Sequence, residues 1–146
     1  MYDSTQDTLA HQTLVKQFLY EFAAALMKRA DGHDQSKLQE PEKSMYDQWK
    51  PVLSELSFGS DAYKKALAQM GVGLKHHYEA NRHHPEHFSN GIDGMNLADV
   101  VEMFCDWLAV AMAKKSYIPF EVLRAKYDLS AQLAQILFNS TLSGHE

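Results

Sequence analysis

The chain has a single cysteine, Cys105, in 146 residues. No intramolecular disulfide can form, so the fold has to rest on its core, and a reducing cytoplasm is the expected compartment. The neighbours of Cys105 in VVEMFCDWLAVAM are largely apolar, which predicts a packed thiol and not a nucleophile. Long apolar runs are missing as well. The longest, around Leu108 to Ala113, is far too short to cross a bilayer. The opening MYDSTQDT is polar and acidic and lacks the charged-then-apolar order of a secretion signal. Neither secretion nor membrane insertion is expected. Positive charge is also short, with a formal net charge of −5. That argues against a general nucleic-acid binder, whose affinity rests on a basic surface, although a local basic pocket stays open. Strand-like alternation is scarce, and no repeat, low-complexity tract or linker divides the sequence.

What is present is helical periodicity in a globular composition, 45% hydrophobic and 23% charged. Leu14, Val15, Phe18, Leu19, Phe22 and Leu26 recur at three- and four-residue steps, predicting a helix over about 7–31 that stops at Gly32. Pro41 opens a second helix with Trp49, Val52, Leu53 and Leu56 on its buried stripe, kinked or broken at Pro51. Ser60 caps a third through Tyr63, Leu67 and Met70 that reaches a histidine-rich segment. Gly91 and Gly94 mark a loop. Asn96 caps LADVVEMFCDWLAVAMAKK, apolar around most of its circumference and therefore expected at the centre. Pro119 begins a shorter helix and Ser130 caps the last. The expectation is an all-α, single compact bundle of five to seven helices over 1–146, with C-terminal helices at 119–142 as an extension.

Polar side chains on apolar stripes need partners, because burying them alone is costly. His11 lies three and four residues before Leu14 and Val15, on the apolar face of the first helix. Asp106 sits among Met103, Phe104, Trp107 and Val110. An adjacent His33–Asp34 pair ends the first helix in GHDQSK, and KHHYEANRHHPEHF at 75–88 holds five of the eight histidines. Imidazole and carboxylate in this number suit Mn, Fe, Co, Ni or Zn.

The order His11, His33–Asp34, Asp106 on an all-α chain resembles the HD-domain superfamily of metal-dependent phosphohydrolases, and HDQSK resembles its common His-Asp-x-Gly-Lys form with Ser36 in place of glycine. The resemblance covers about residues 11–110. It implies His11, His33, Asp34 and Asp106 as ligands of one divalent ion, with Mg also allowed. Two-metal members insert further histidines before the final aspartate, which points to His77 and His83 for a second ion and to His76, His84 and His87 as substitutes or supporting groups. The implied activity is hydrolysis of a phosphate ester, a small nucleotide or related metabolite, by a metal-activated water. Lys37, Lys75 and Arg82 stand beside these positions to hold phosphate, Arg82 best through its planar fork, and Glu79 or Glu86 is placed to assist proton transfer. Lys37 stands where the nucleoside-monophosphate phosphatase branch has an acidic residue, and the Gly-Tyr-Pro element of the cyclic-dinucleotide phosphodiesterases is absent.

Plainer readings compete. His11 reads also as a hydrogen-bonded core residue, Asp34 as a cap, and Asp106 as the partner of a lysine or arginine, with Asp99 and Glu102 on the same face. The histidines complement a helix C-terminus, and His145 belongs to a solvated tail. Two other functions fit the pattern, a di-iron oxygenase of the same fold and a non-catalytic helical binding module.

Overall fold

The computed structural model describes residues 2–141; His145, expected in a solvated tail, lies outside them. The described residues form seven α-helices and three short 3-10 helices, with no strand among them. The all-α expectation holds. The chain divides into two compact units after His33, where the sequence offered no linker.

The first unit is one helix, α1 (Thr5–Gly32), capped at its C-terminus by His33, whose backbone N–H bonds to Ala30 O. None of its residues is buried. His11, expected on a covered apolar face, is exposed together with Leu14, Val15 and Phe18.

The second unit carries the remaining helices. A 3-10 helix (Gln35–Leu38) leads to α2 (Glu42–Ser54), which runs through Pro51 without a break and ends one turn later. The segment read as one helix from Ser60 is two, α3 (Asp61–Gln69) and α4 (Gly71–Ala80). Gly71 separates them at φ +56°, a left-handed conformation that glycine adopts without a steric cost. Ser60 caps α3 by accepting from the Tyr63 N–H. Two 3-10 turns, Pro85–His87 and Gly91–Gly94, lead to α5 (Leu97–Ala113). Its start is a capping box in which the Asn96 side chain accepts from the Asp99 N–H and Asp99 accepts from the Asn96 N–H.

The core of this unit gathers Phe104 of α5 with Leu129 and Leu137. The C-terminal helices α6 (Phe120–Tyr127) and α7 (Ala131–Asn139) supply Phe120, Tyr127 and Leu133 around them. Trp107 stacks on Tyr127 with centroids 5.9 Å apart. The C-terminal helices, expected as an extension, therefore help build the core as far as α7. Cys105 corrects one expectation. It is exposed, because the face of α5 that turns inward carries Met103, Phe104 and Ala111 instead.

A second packing contact positions the site. A Cβ on Gly73 of α4 would stand 2.7 Å from Met45 Sδ and 2.9 Å from Met45 Cβ on α2. Only a glycine lets the two helices approach so closely, and one turn along each helix this approach brings Glu42 to His76 and His77.

Candidate metal centre

Asp34 opens the second unit in an unusual backbone state, φ 56° and ψ 17°. A non-glycine residue held there costs about 1–2 kcal/mol, least for Asp and Asn. The conformation splits its carboxylate between two tasks. Oδ2 meets Lys37 Nζ at 2.5 Å, and Oδ1 lies 3.6 Å from Nε2 of both His77 and His83. His84 completes the group, with its Nε2 2.8 Å from that of His77. The four donor atoms all stand within 4.8 Å of one another. Ligand bonds of about 2.1 Å place tetrahedral donors about 3.4 Å apart, so the observed 2.8 and 3.6 Å separations suit a shared ion.

The groups behind the imidazoles decide which nitrogen faces the cluster. Glu42 is fully buried, with Oε2 2.8 Å from His77 Nδ1 and Oε1 2.7 Å from His76 Nδ1. Burial opposes its ionisation, but hydrogen bonds with His76, Ser36 and His77 outweigh it and hold the carboxyl below its usual range. An ionised carboxylate only accepts, so His77 carries its proton on Nδ1 and turns the Nε2 lone pair toward Asp34 and His84. Glu102 Oε1 stands 3.2 Å from His83 Nδ1, at ion-pair distance. Backing of a ligand imidazole by a carboxylate, as at His77, is the usual support of metal-binding histidines.

Protonation is disfavoured at two of the imidazoles, His77 and His84. Burial, then the charge of Lys37, lowers the affinity of His77 for a proton, against the pull of Asp34 and Glu42. His84 is pushed down to about 2 by burial, then by His83, His77, Lys37 and Lys126. Tyr46, edge-on to His77 with centroids 5.6 Å apart, and Tyr78, 5.1 Å from His84, form aromatic walls. Burial raises both hydroxyls, followed by Asp34 at Tyr46 and Glu86 at Tyr78.

Of the remaining expected residues, Asp106 comes close to Asp34, while Arg82, Lys75, Glu79, Glu86 and His87 find partners elsewhere. Asp106 is half-buried on α5, and a carboxylate oxygen of it stands within 4.8 Å of one of Asp34. The fully buried acid of α5 is Asp99, not Asp106. Asp99 takes a two-pronged pair from Arg82, at 3.1 Å from Nε and 3.0 Å from an Nη. Arg82, expected to grip phosphate, is thereby committed to the start of α5 and also lies over the Phe88 ring. Lys75 and Glu79 pair with each other at 3.7 Å on an exposed face of α4. Glu86 pairs with Lys126 at 3.1 Å, and His87 Nδ1 is 3.0 Å from the Tyr78 carbonyl, which fastens the turn to α4. His11 and His33 belong to the first unit, one within α1 and the other at its end.

Beyond Pro85 lies a depression lined by Glu86, Asp93 and Asp128 against Lys126. Three acids facing one lysine do not suit an anion.

Glu42, Ser36 and Tyr46 were not found as site residues from the sequence. Glu42 follows Pro41 as an ordinary first-turn acid, and only the contact across 35 residues with His77 reveals its role.

The family model described as "Family of unknown function (DUF5662)" matches residues 1–142, and the chain belongs to that family. No curated protein and no solved structure matches it.

Proposed function

We propose that the protein is a metal-dependent hydrolase of a phosphate ester, with a small nucleotide or related metabolite as substrate. The observation that carries this reading is Asp34 Oδ1 at 3.6 Å from Nε2 of both His77 and His83, with Glu42 fixing the His77 ring from behind. Asp34, His77, His83 and His84 would hold the ion, and Asp106 lies within reach of a second one beside Asp34. Three imidazoles and a carboxylate favour Mn, Fe, Co, Ni or Zn over Mg. When bound, the ion supplies Lewis acidity toward a phosphoryl oxygen and makes water a stronger acid.

The chain's own groups do the rest. Glu42 orients the His77 imidazole, and burial keeps His84 unprotonated at neutral pH. Lys37, a third exposed at the edge of the cluster, pairs with Asp34 and offers positive charge to an incoming phosphate. The aromatic faces of Tyr46 and Tyr78 limit water around the histidines.

The test is metal content by mass spectrometry on untagged protein and on Asp34→Ala, with hydrolysis of phosphomonoesters, phosphodiesters and nucleoside triphosphates by the metal-loaded forms. At least one tightly held equivalent, lost in the variant together with hydrolysis, is the expected result. Iron alone, with a visible spectrum that responds to O₂ and no hydrolysis, would make the oxygenase the better reading. Absence of both metal and hydrolysis would leave a helical binding module.

A further inference from the structure

The Tyr46 ring stands 5.6 Å from that of His77, and the Tyr78 ring 6.0 Å from His77 and 5.1 Å from His84. Tyr63 is half-buried on α3, which packs against both α2 and α4. Among the described residues, none of these three hydroxyls makes a hydrogen bond. A partly covered phenol without a protein partner is met by solvent or by a ligand.

The surroundings of these hydroxyls join them into one wall. Burial raises Tyr46 most, followed by the charges of Asp34 and Glu42, then by Tyr78 and Tyr63. Burial also dominates at Tyr63, which feels Lys126 and Asp106, and at Tyr127, which feels Glu86, Tyr63 and Asp106. Asp106 leads back to the metal centre, with a carboxylate oxygen within 4.8 Å of one of Asp34. Asp34, Tyr46, Tyr78, Tyr63, Tyr127 and Asp106 thus line one hydroxyl-rich wall beside the candidate ion. The lysines at its two ends are already held by carboxylates. Lys37 is 2.5 Å from Asp34, and Lys126, 2.6 Å from the Tyr127 hydroxyl, is 3.1 Å from Glu86.

We propose that this wall receives the hydroxyl-bearing carbon skeleton of a phosphorylated sugar or polyol, with Tyr46, Tyr63 and Tyr78 as the residues that select it. The inference rests on the hydrolase reading and names the substrate class of the same site. A neutral phenol both donates and accepts, as a sugar hydroxyl does, and its ring offers a face to C–H surface. A second phosphate in that place would meet neutral phenols, Asp106 and two lysines already paired, a poor match for further negative charge. One phosphate at the ion and an uncharged polar skeleton along the tyrosines is the arrangement that the charges favour. Hydrolysis of such a monoester consumes one water and yields the free alcohol and orthophosphate, with no other reactant.

Steady-state hydrolysis by the metal-loaded full chain tests it, with ribose phosphate, glycerol phosphate, propyl phosphate and inorganic pyrophosphate as probes. Glycerol phosphate and propyl phosphate share a carbon chain and differ in their hydroxyls. The kcat/KM for glycerol phosphate should exceed that for propyl phosphate by roughly 100-fold or more, with ribose phosphate also preferred over pyrophosphate. Tyr46→Phe, Tyr63→Phe and Tyr78→Phe remove only an oxygen, and at least one should lower the glycerol-to-propyl ratio about tenfold or more while bound metal stays at the wild-type level. Propyl phosphate or pyrophosphate cleaved as fast as the hydroxylated esters overturns the proposal and leaves the hydrolase reading standing. So does a ratio unchanged in all three variants. A protein that holds metal and cleaves none of these probes, nor any other phosphate ester, overturns the hydrolase reading and this inference with it.

Discussion

Glu42 shows how much a single buried carboxylate decides. It meets two imidazoles through their Nδ1 atoms, and only while ionised does it hold the His77 proton away from the cluster. Glu42→Gln keeps the shape but places an amide N–H₂ against one of those nitrogens, which forces that ring toward the other tautomer. Metal affinity is expected to fall about 10- to 100-fold, read by competition against a chromogenic chelator, while the fold survives. The sequence made the histidines and Asp34 legible because their residue types are themselves chemical signals. It did not distinguish His84 from its neighbours, since the choice depends on how the chain leaves α4 at Asn81. It named Asp106, whose carboxylate comes within 4.8 Å of that of Asp34, but not the full burial of Asp99, which only the capping box at Asn96 and the arrival of Arg82 decide. Cys105 misled because its helix is apolar around most of its circumference.

At the scale of elements, helix starts were readable wherever a side chain does the capping. Ser60, Asn96 and Ser130 all accept the N–H expected of them. The division of α3 from α4 was not, since a glycine in a helical pattern does not announce a positive φ. Neither was the close approach of α2 and α4. Gly73→Ala sets a methyl 2.7 Å from Met45 Sδ, so the helices must part or Met45 must move. Such overpacking costs about 1–3 kcal/mol, to be seen as a lower melting temperature. Because α2 carries Glu42, metal affinity should fall with it. Adding Met45→Ala should recover part of both losses, which separates a steric cause from a chemical one.

For the molecule as a whole, the charge state of the cluster links folding to pH. The folded state lowers the proton affinity of His77 and His84, whereas an unfolded histidine titrates near 6.5. Below about pH 6.5 the unfolded chain therefore binds more protons, and the native state loses stability as the pH falls, by up to about 1.4 kcal/mol per pH unit for each such group. Above that pH the contribution is complete and flat. Chelator-treated protein should show this in denaturant titrations between pH 7.5 and 5, and the His84→Gln variant should show a shallower slope. The broad architecture of seven helices without a described strand was accessible from periodicity. Among the described residues no helix is long and apolar enough to cross a membrane. The division after His33 was hidden, because α1 has the amphipathic pattern of a core helix although no residue of it is buried.

The left-handed turn at Asp34 imposes two separate filters on one position. In a saturation library sorted for folding, backbone geometry alone admits glycine and asparagine beside aspartate and rejects valine, isoleucine and threonine. Sorted for retained metal, the same library should keep aspartate and little else, and glutamate should be rejected in both sorts despite its charge. The two profiles would diverge at residue 34, whereas at Gly73 the folding filter alone should govern.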